Sequence, residues 1–159
     1  MERITPCLWF DGMAEEAARM YVALFPDSAI LDVSHAAADT PSQAHGEVMS
    51  VRFVLRGQTF TALNGGPMFS FNEAVSFQLE CDSQEEADRY WDALCERGEP
   101  GRCGWLKDRF GLSWQVIPPG LGEVLGGPDA AGAARAMEAM LGMSRLDIDA
   151  MRAAYEGRD

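Results

Sequence analysis

Apolar residues recur at helical spacing in two short stretches. In Glu15–Phe25 the residues Ala17, Tyr21 and Leu24 fall on one face, and in Glu85–Cys95 Ala87, Trp91 and Leu94 do the same, with Glu and Arg on the wet side. Both read as amphipathic helices. The two stretches also match residue for residue at an offset of 70, sharing Glu, Glu, Ala, Arg, Ala and Leu, more than a common helical pattern supplies. A repeat of this kind decides the fold class before any local element does. Ser83 with Glu86 three residues on predicts a capping box, and Asp11 or Gly12 opens the first helix.

Strand patterns precede each helix. Ile4–Asp11 and Ala74–Cys81 are extended candidates, the second with clean alternation. What closes each unit matches at an offset of 54: Gly57–Leu63 lies over Gly111–Ile117, each a glycine turn feeding a strand. Strands at Ala29–Val33, Glu47–Leu55 and Thr59–Leu63 complete a strand-helix-three-strand module. In the second module the middle strands are expected near Gly101–Trp105 and Lys107–Asp108. The small, polar stretch Ser34–Gly46 is the extra loop of the first module and carries His35 and His45, both read as solvated. After Pro118-Pro119 the pattern turns to helices at Ala130–Leu141 and Asp147–Ala154, a hairpin with a stripe of Met137, Met140, Met143 and Met151. The expected class is therefore α+β: two βαβββ modules, 3–66 and 74–118, in curved, half-barrel-like mixed sheets, plus a helical extension over 128–156, all in one domain spanning 1–159.

Composition narrows the partners. With 13 Lys and Arg against 25 Asp and Glu, the net charge of −12 repels phosphate backbones and anionic headgroups, which argues against nucleic acid and membrane surfaces. The N-terminus lacks the pattern of a secretory signal and no stretch has the length of a membrane span, so a cytoplasmic location is expected. The four cysteines, Cys7, Cys81, Cys95 and Cys103, are scattered with no Cys-x-x-Cys and read as reduced, packed thiols, with Cys7 and Cys81 under the helices.

The doubled module, together with the runs Ile4–Phe10, Cys103–Pro118 and Met140–Asp149, resembles the PhnB-like branch, also called demethylubiquinone methyltransferase-like, of the vicinal oxygen chelate (glyoxalase/bleomycin resistance) superfamily. The resemblance covers nearly the whole chain, and Gly-Trp-Leu-x-Asp-x-Phe-Gly-x-x-Trp-Gln from Gly104 to Gln115 is its most specific part. It implies a homodimer, to which the Met-rich hairpin offers apolar surface. It also implies that metal-dependent relatives take ligands from the first and last strands of each module. The matching positions here are Pro6, Ser76, Thr61 and Gln115. Pro has no donor and only the Gln amide oxygen is a reasonable, weak ligand, so no divalent metal and no other cofactor is expected. Methyl transfer of the usual kind needs a glycine-rich strand-to-helix turn and a downstream acid, which neither Asp11-Gly12 nor Asp82-Ser83 supplies.

Alternation groups Pro6, Leu8 and Phe10 with Ser76, Gln78 and Glu80, and with Ser113, Gln115 and Ile117, on the expected concave face. An apolar half opposite a polar half suits a small molecule oriented by amide and hydroxyl contacts. Thr61 joins this face, Asn64 at the turn ending the first module can reach its mouth, and Trp105 is a candidate wall. Glu80 is its one ionisable group and lacks a paired acid or base. Lys107–Gly111 reads as a hairpin turn with solvated charges. The expected function is metal-free binding of a small molecule. A metal-assisted glyoxalase- or dioxygenase-type enzyme, the methyl transfer of the family label, and a sequestering or resistance protein stand as rivals.

Overall fold

The chain begins with strand β1 (Cys7–Phe10) and helix α1 (Ala14–Leu24), followed by β2 (Ala29–His35), β3 (Val48–Leu55) and β4 (Gln58–Asn64). These coordinates are a computed structural model and describe residues 4–158. The four strands form a mixed sheet in the order β1-β4-β3-β2, with β1 parallel to β4 and the other pairs antiparallel. A parallel pair needs a long crossover, and α1 with β2 and β3 supplies it. Arg56 and Gly57, both at positive φ, make the two-residue turn joining β3 to β4, as the glycine of the repeat predicts.

Helix α1 buries Ala14, Ala17, Ala18 and Tyr21. The sheet contributes Val51, Phe53, Phe60 and Ala62, with Tyr21 stacked on Phe53 at 6.4 Å and Phe53 on Phe60 at 5.5 Å. Val51 pairs with Ala62 and Phe53 with Phe60, so one face of the sheet is the core and its neighbours in sequence face away.

The second compact unit runs from Asn72. Its elements are β5 (Phe77–Glu80), α2 (Gln84–Cys95), β6 (Glu99–Pro100), β7 (Trp105–Lys107) and β8 (Ser113–Ile117). The order β5-β8-β7-β6 repeats that of the first sheet, again with one parallel pair, β5 with β8. Two βαβββ modules of identical topology are thus present, and neither sheet closes on itself. The middle strands differ from expectation. Residues 102–104 turn instead of extending, because Cys103 and Gly104 take positive φ and Trp105 N donates to the Arg102 carbonyl.

Three helices follow: α3 (Leu121–Leu125), not anticipated, α4 (Ala130–Leu141), as expected, and α5 (Ile148–Glu156), close to expectation. Val124, Ala136, Leu146, Ile148 and Met151 form their core, with Met140 and Met143 packed against it. The extension is fastened to the second module through backbone and amide contacts. Cys103 N donates to the Met143 carbonyl and Gly104 N to that of Ser144. Gln84 of α2 donates to the Leu146 carbonyl at 2.8 Å and accepts from Ile148 N at 2.9 Å. No helix among the described residues is long and apolar enough to cross a membrane.

Candidate functional site

In the second module, strand alternation places Phe77, Leu79, Leu106, Trp114 and Val116 on the core side. The opposite face presents Gln78, Glu80, Trp105, Gln115 and Ile117. Three of the residues expected there are hydrogen bonded into one chain: Gln115 Nε2 donates to Ser76 Oγ at 2.9 Å, and Gln78 Nε2 donates to Gln115 Oε1 at 3.4 Å. Gln78 and Gln115 are register partners across the parallel pair, and Trp105 is the cross-strand partner of Gln115 on the other side. Glu80 stands at the strand end, exposed, across from Ile117.

Beside this chain a cavity of about 160 Å³ opens along β6, β7 and β8, with Trp105, Lys107 and Ser113 in its lining. Lys107 Nζ meets Glu73 Oε1 at 2.6 Å. The Lys107 hydrogen bond and charge hold the Glu73 carboxyl below the usual carboxylate range, and the same bond raises the Lys107 ammonium above its ordinary value.

The first module does not repeat this arrangement. Leu8 and Phe10, expected on the concave face, are 7 % and 3 % exposed and lie on the α1 side. Phe10 pairs with Asn64, whose Oδ1 accepts from Ala14 N at the start of α1. The physical reason is a one-residue slip. Cys7 pairs with Thr61 in the first module, whereas in the second Gln78, not Phe77, pairs with Gln115. The helix-based offset of 70 therefore puts the first strands on opposite faces. On the face away from α1 stand Cys7, Trp9, Thr61 and Leu63. Cys7 is accordingly exposed, not packed under the helix, while Cys81 is buried. Trp9 is held by its indole donating to the Gly66 carbonyl at 2.8 Å and by an edge contact with Phe69 at 5.0 Å. Sequence reasoning missed both Cys7 and Trp9. The available signal was the apolar parity, even at Leu8 and Phe10 but odd at Phe77 and Leu79.

Pro6 contributes its carbonyl, which accepts from Thr61 N. Asn64 spends its amide on structure: besides capping α1, Nδ2 donates to the Val48 carbonyl at 2.9 Å, and its own carbonyl accepts from Gln43. It lines a polar cavity of about 390 Å³ with Glu15, His35, Gln43 and Glu47 at the head of α1.

The residues at the expected ligand positions do not fit a divalent metal. The amide oxygen of Gln115 already accepts from Gln78, its nitrogen is turned to Ser76, and Thr61 offers one neutral hydroxyl. Among the described residues no group of three or more His, Cys, Asp and Glu is placed to hold a metal ion. The two strand-to-helix junctions fit a nucleotide-like methyl donor no better. Their helix N-termini are capped internally, by Asn64 on Ala14 N and by Ser83 Oγ on Glu86 N at 3.0 Å.

The most specific sequence run proves to be architectural. Asp108, expected in a solvated turn, is 3 % exposed. Its Oδ1 accepts from Phe110 N at 2.9 Å and Leu112 N at 3.1 Å, and its Oδ2 from Trp114 Nε1 at 2.9 Å. Desolvating a carboxylate is tolerated here because three donors converge on it. Asp, Phe-Gly and Trp in that run thus shape the β7–β8 hairpin, and Gly104 carries the extension.

A family model described as 3-demethylubiquinone-9 3-methyltransferase matches residues 2–117. A PhnB protein of known structure from Bacillus cereus is 33% identical, the match covering 73% of this chain and 98% of that one with a TM-score of 0.65. A protein of known structure from Pseudomonas aeruginosa is 26% identical, covering 72% and 95%, with a TM-score of 0.58. No curated protein sequence matches the chain. The family model stops at residue 117, short of the near-complete coverage expected, so the helices after Pro118 lie beyond it. The doubled βαβββ topology, the match over both modules and the likeness to the PhnB protein agree: the chain belongs to the PhnB-like family described as 3-demethylubiquinone-9 3-methyltransferase.

Proposed function

We propose that the chain binds a small, mostly apolar molecule on the face of its second module away from α2, without a divalent metal, and returns it chemically unchanged. The observation that carries this is the hydrogen-bonded chain Ser76–Gln115–Gln78 flanked by Trp105. Amides and a hydroxyl offer both donors and acceptors at fixed positions, and the indole adds a large apolar contact; few polar groups on an apolar wall is how small-molecule sites are built. Catalysis by proton transfer would need an acid or base in reach, and the ionisable groups of this face are Glu80, exposed at its end, and Lys107, already paired with Glu73. The family description names a methyltransferase; the capped helix N-termini weigh against the usual methyl-donor mode. The protein acts as a homodimer in the cytoplasm on this reading.

The test is mass spectrometry of protein purified from cell extract without chelators, read for both small molecules and metals. Wild type is expected to retain an organic ligand that Gln115→Ala loses, with no stoichiometric divalent ion. A stoichiometric ion lost on Gln115→Ala, or a ligand released in altered form, overturns the reading. A monomer by light scattering at micromolar concentration overturns the dimer.

A further inference from the structure

Ser113 holds a polar group that the fold leaves unsatisfied. The residue is 1 % exposed, and its buried Oγ has no hydrogen-bond partner. Native folds leave few such groups, and each calls for a physical explanation. Ser113 lines the cavity of about 160 Å³ on the same side of the sheet as Trp105. That volume matches the engineered apolar cavity of about 150 Å³ that accepts benzene, and exceeds several-fold the share of one water, about 30 Å³.

The charges lie at the rim. Glu73 and Lys107 are 60% and 34% exposed in their ion pair, and Glu99 is exposed beside them. One ammonium against two carboxylates, already engaged, does not invite an anion. Trp105 and Ser113, which share this side of the sheet, carry no charge and suit a neutral guest. What the orphan hydroxyl lacks is an acceptor for its proton. Lys107 is the cross-strand neighbour of Ser113.

We propose that this cavity receives one neutral six-membered ring that presents a hydrogen-bond acceptor to Ser113 Oγ and lays its face on Trp105. The inference rests on the ligand-binding reading above and specifies one part of that ligand.

The probes are 3-fluoropyridine and fluorobenzene, near-isosteres differing in the ring nitrogen, titrated at neutral pH by fluorine NMR. Wild type is expected to bind 3-fluoropyridine about fivefold to tenfold more tightly, the worth of one hydrogen bond. Ser113→Ala should erase the preference by weakening 3-fluoropyridine alone, at unchanged or higher thermal stability because it deletes an orphan donor. Trp105→Leu should weaken both probes. Equal affinities in wild type, or no binding of either probe at millimolar concentration, overturn the proposal and leave a cavity that holds water only. Gln115→Ala separates the two readings. Extract ligand retained by wild type and lost on Gln115→Ala, with no probe binding, sinks the ring site alone; probe binding with no extract ligand sinks the wider reading instead.

Discussion

Replacing Asp108 tests whether the family's most specific run is architecture. Three donors converge on this carboxylate, and those of Leu112 and Trp114 are buried. Asp108→Ala orphans all three. At about 1–3 kcal/mol for each buried donor left unpaired, the loss comes to about 3–5 kcal/mol after partial relaxation. Asp108→Asn is milder and more informative. Its oxygen still serves Phe110 N and Leu112 N, but its NH₂ replaces Oδ2 and confronts the Trp114 Nε1–H, donor against donor. That single mismatch costs about 2 kcal/mol, or about 4–8 °C in Tm for a chain of this length. Urea denaturation followed by circular dichroism reads both, and the same substitution in a Trp114→Phe background completes a double-mutant cycle. The Asn penalty should fall by about 1 kcal/mol or more once the indole donor is gone. An Asp108→Asn protein within about 0.5 kcal/mol of wild type, or a cycle with no coupling, would refute the reasoning.

Asn64→Ala removes the acceptor for Ala14 N and the donor to the Val48 carbonyl, costing about 1–3 kcal/mol, and amide exchange should quicken in the first turn of α1; unchanged exchange there contradicts the capping role. Gly104→Ala puts a Cβ 2.8 Å from the Val116 carbonyl oxygen and 3.0 Å from Leu146 Cδ1 at a φ of +82°, so a loss of about 2 kcal/mol or more is expected, with faster proteolysis after Pro118; wild-type resistance would show that the extension does not depend on this contact. The Glu73–Lys107 pair sets a pH dependence. A carboxyl lowered on folding stabilises above its ordinary range and loses that contribution as pH falls through the lowered value; an ammonium raised on folding stabilises below its ordinary range and loses it as pH rises through the raised value. Glu73→Gln should therefore differ from wild type most near neutrality, with the gap closing in acid and in high salt; a gap that widens in acid refutes the pairing.

Much of the architecture was legible because repetition is a long-range signal. The two helices fixed each other's limits, and a glycine turn before β4 and β8 fixed the last strands. The short strands β6 and β7 were less legible. Two and three residues are too few for alternation to register, and the turn at residues 102–104 is imposed by contacts with Met143 and Ser144, about forty residues away. The burial of Asp108 was hidden for a similar reason. Its partners are backbone N–H groups, which every sequence contains, and one indole. At the candidate site, Ser76, Gln78 and Gln115 are joined by hydrogen bonds with Trp105 as the cross-strand partner of Gln115, whereas Leu8, Phe10 and Asn64 belong to the α1 side.

The two modules differ in the register of their first strands. The helices of the two modules superimpose at one offset, but parallel pairing fixes β1 on β4 and β5 on β8 independently, and the two registers differ by one residue. A slip of one exchanges the faces of the first strand while leaving its length and its helix in place. The first module then buries Leu8 and Phe10 and exposes Cys7 beside Trp9; the second buries Phe77 and Leu79 and presents Gln78 and Glu80. Symmetric ligand positions, one set from each module, require that the two registers agree. Here they do not: the face turned away from the helix carries Cys7 and Trp9 on the first strand of one module, and Gln78 and Glu80 on that of the other. First-strand residues related by the repeat therefore stand on opposite faces, and the two modules present unlike surfaces at matched positions.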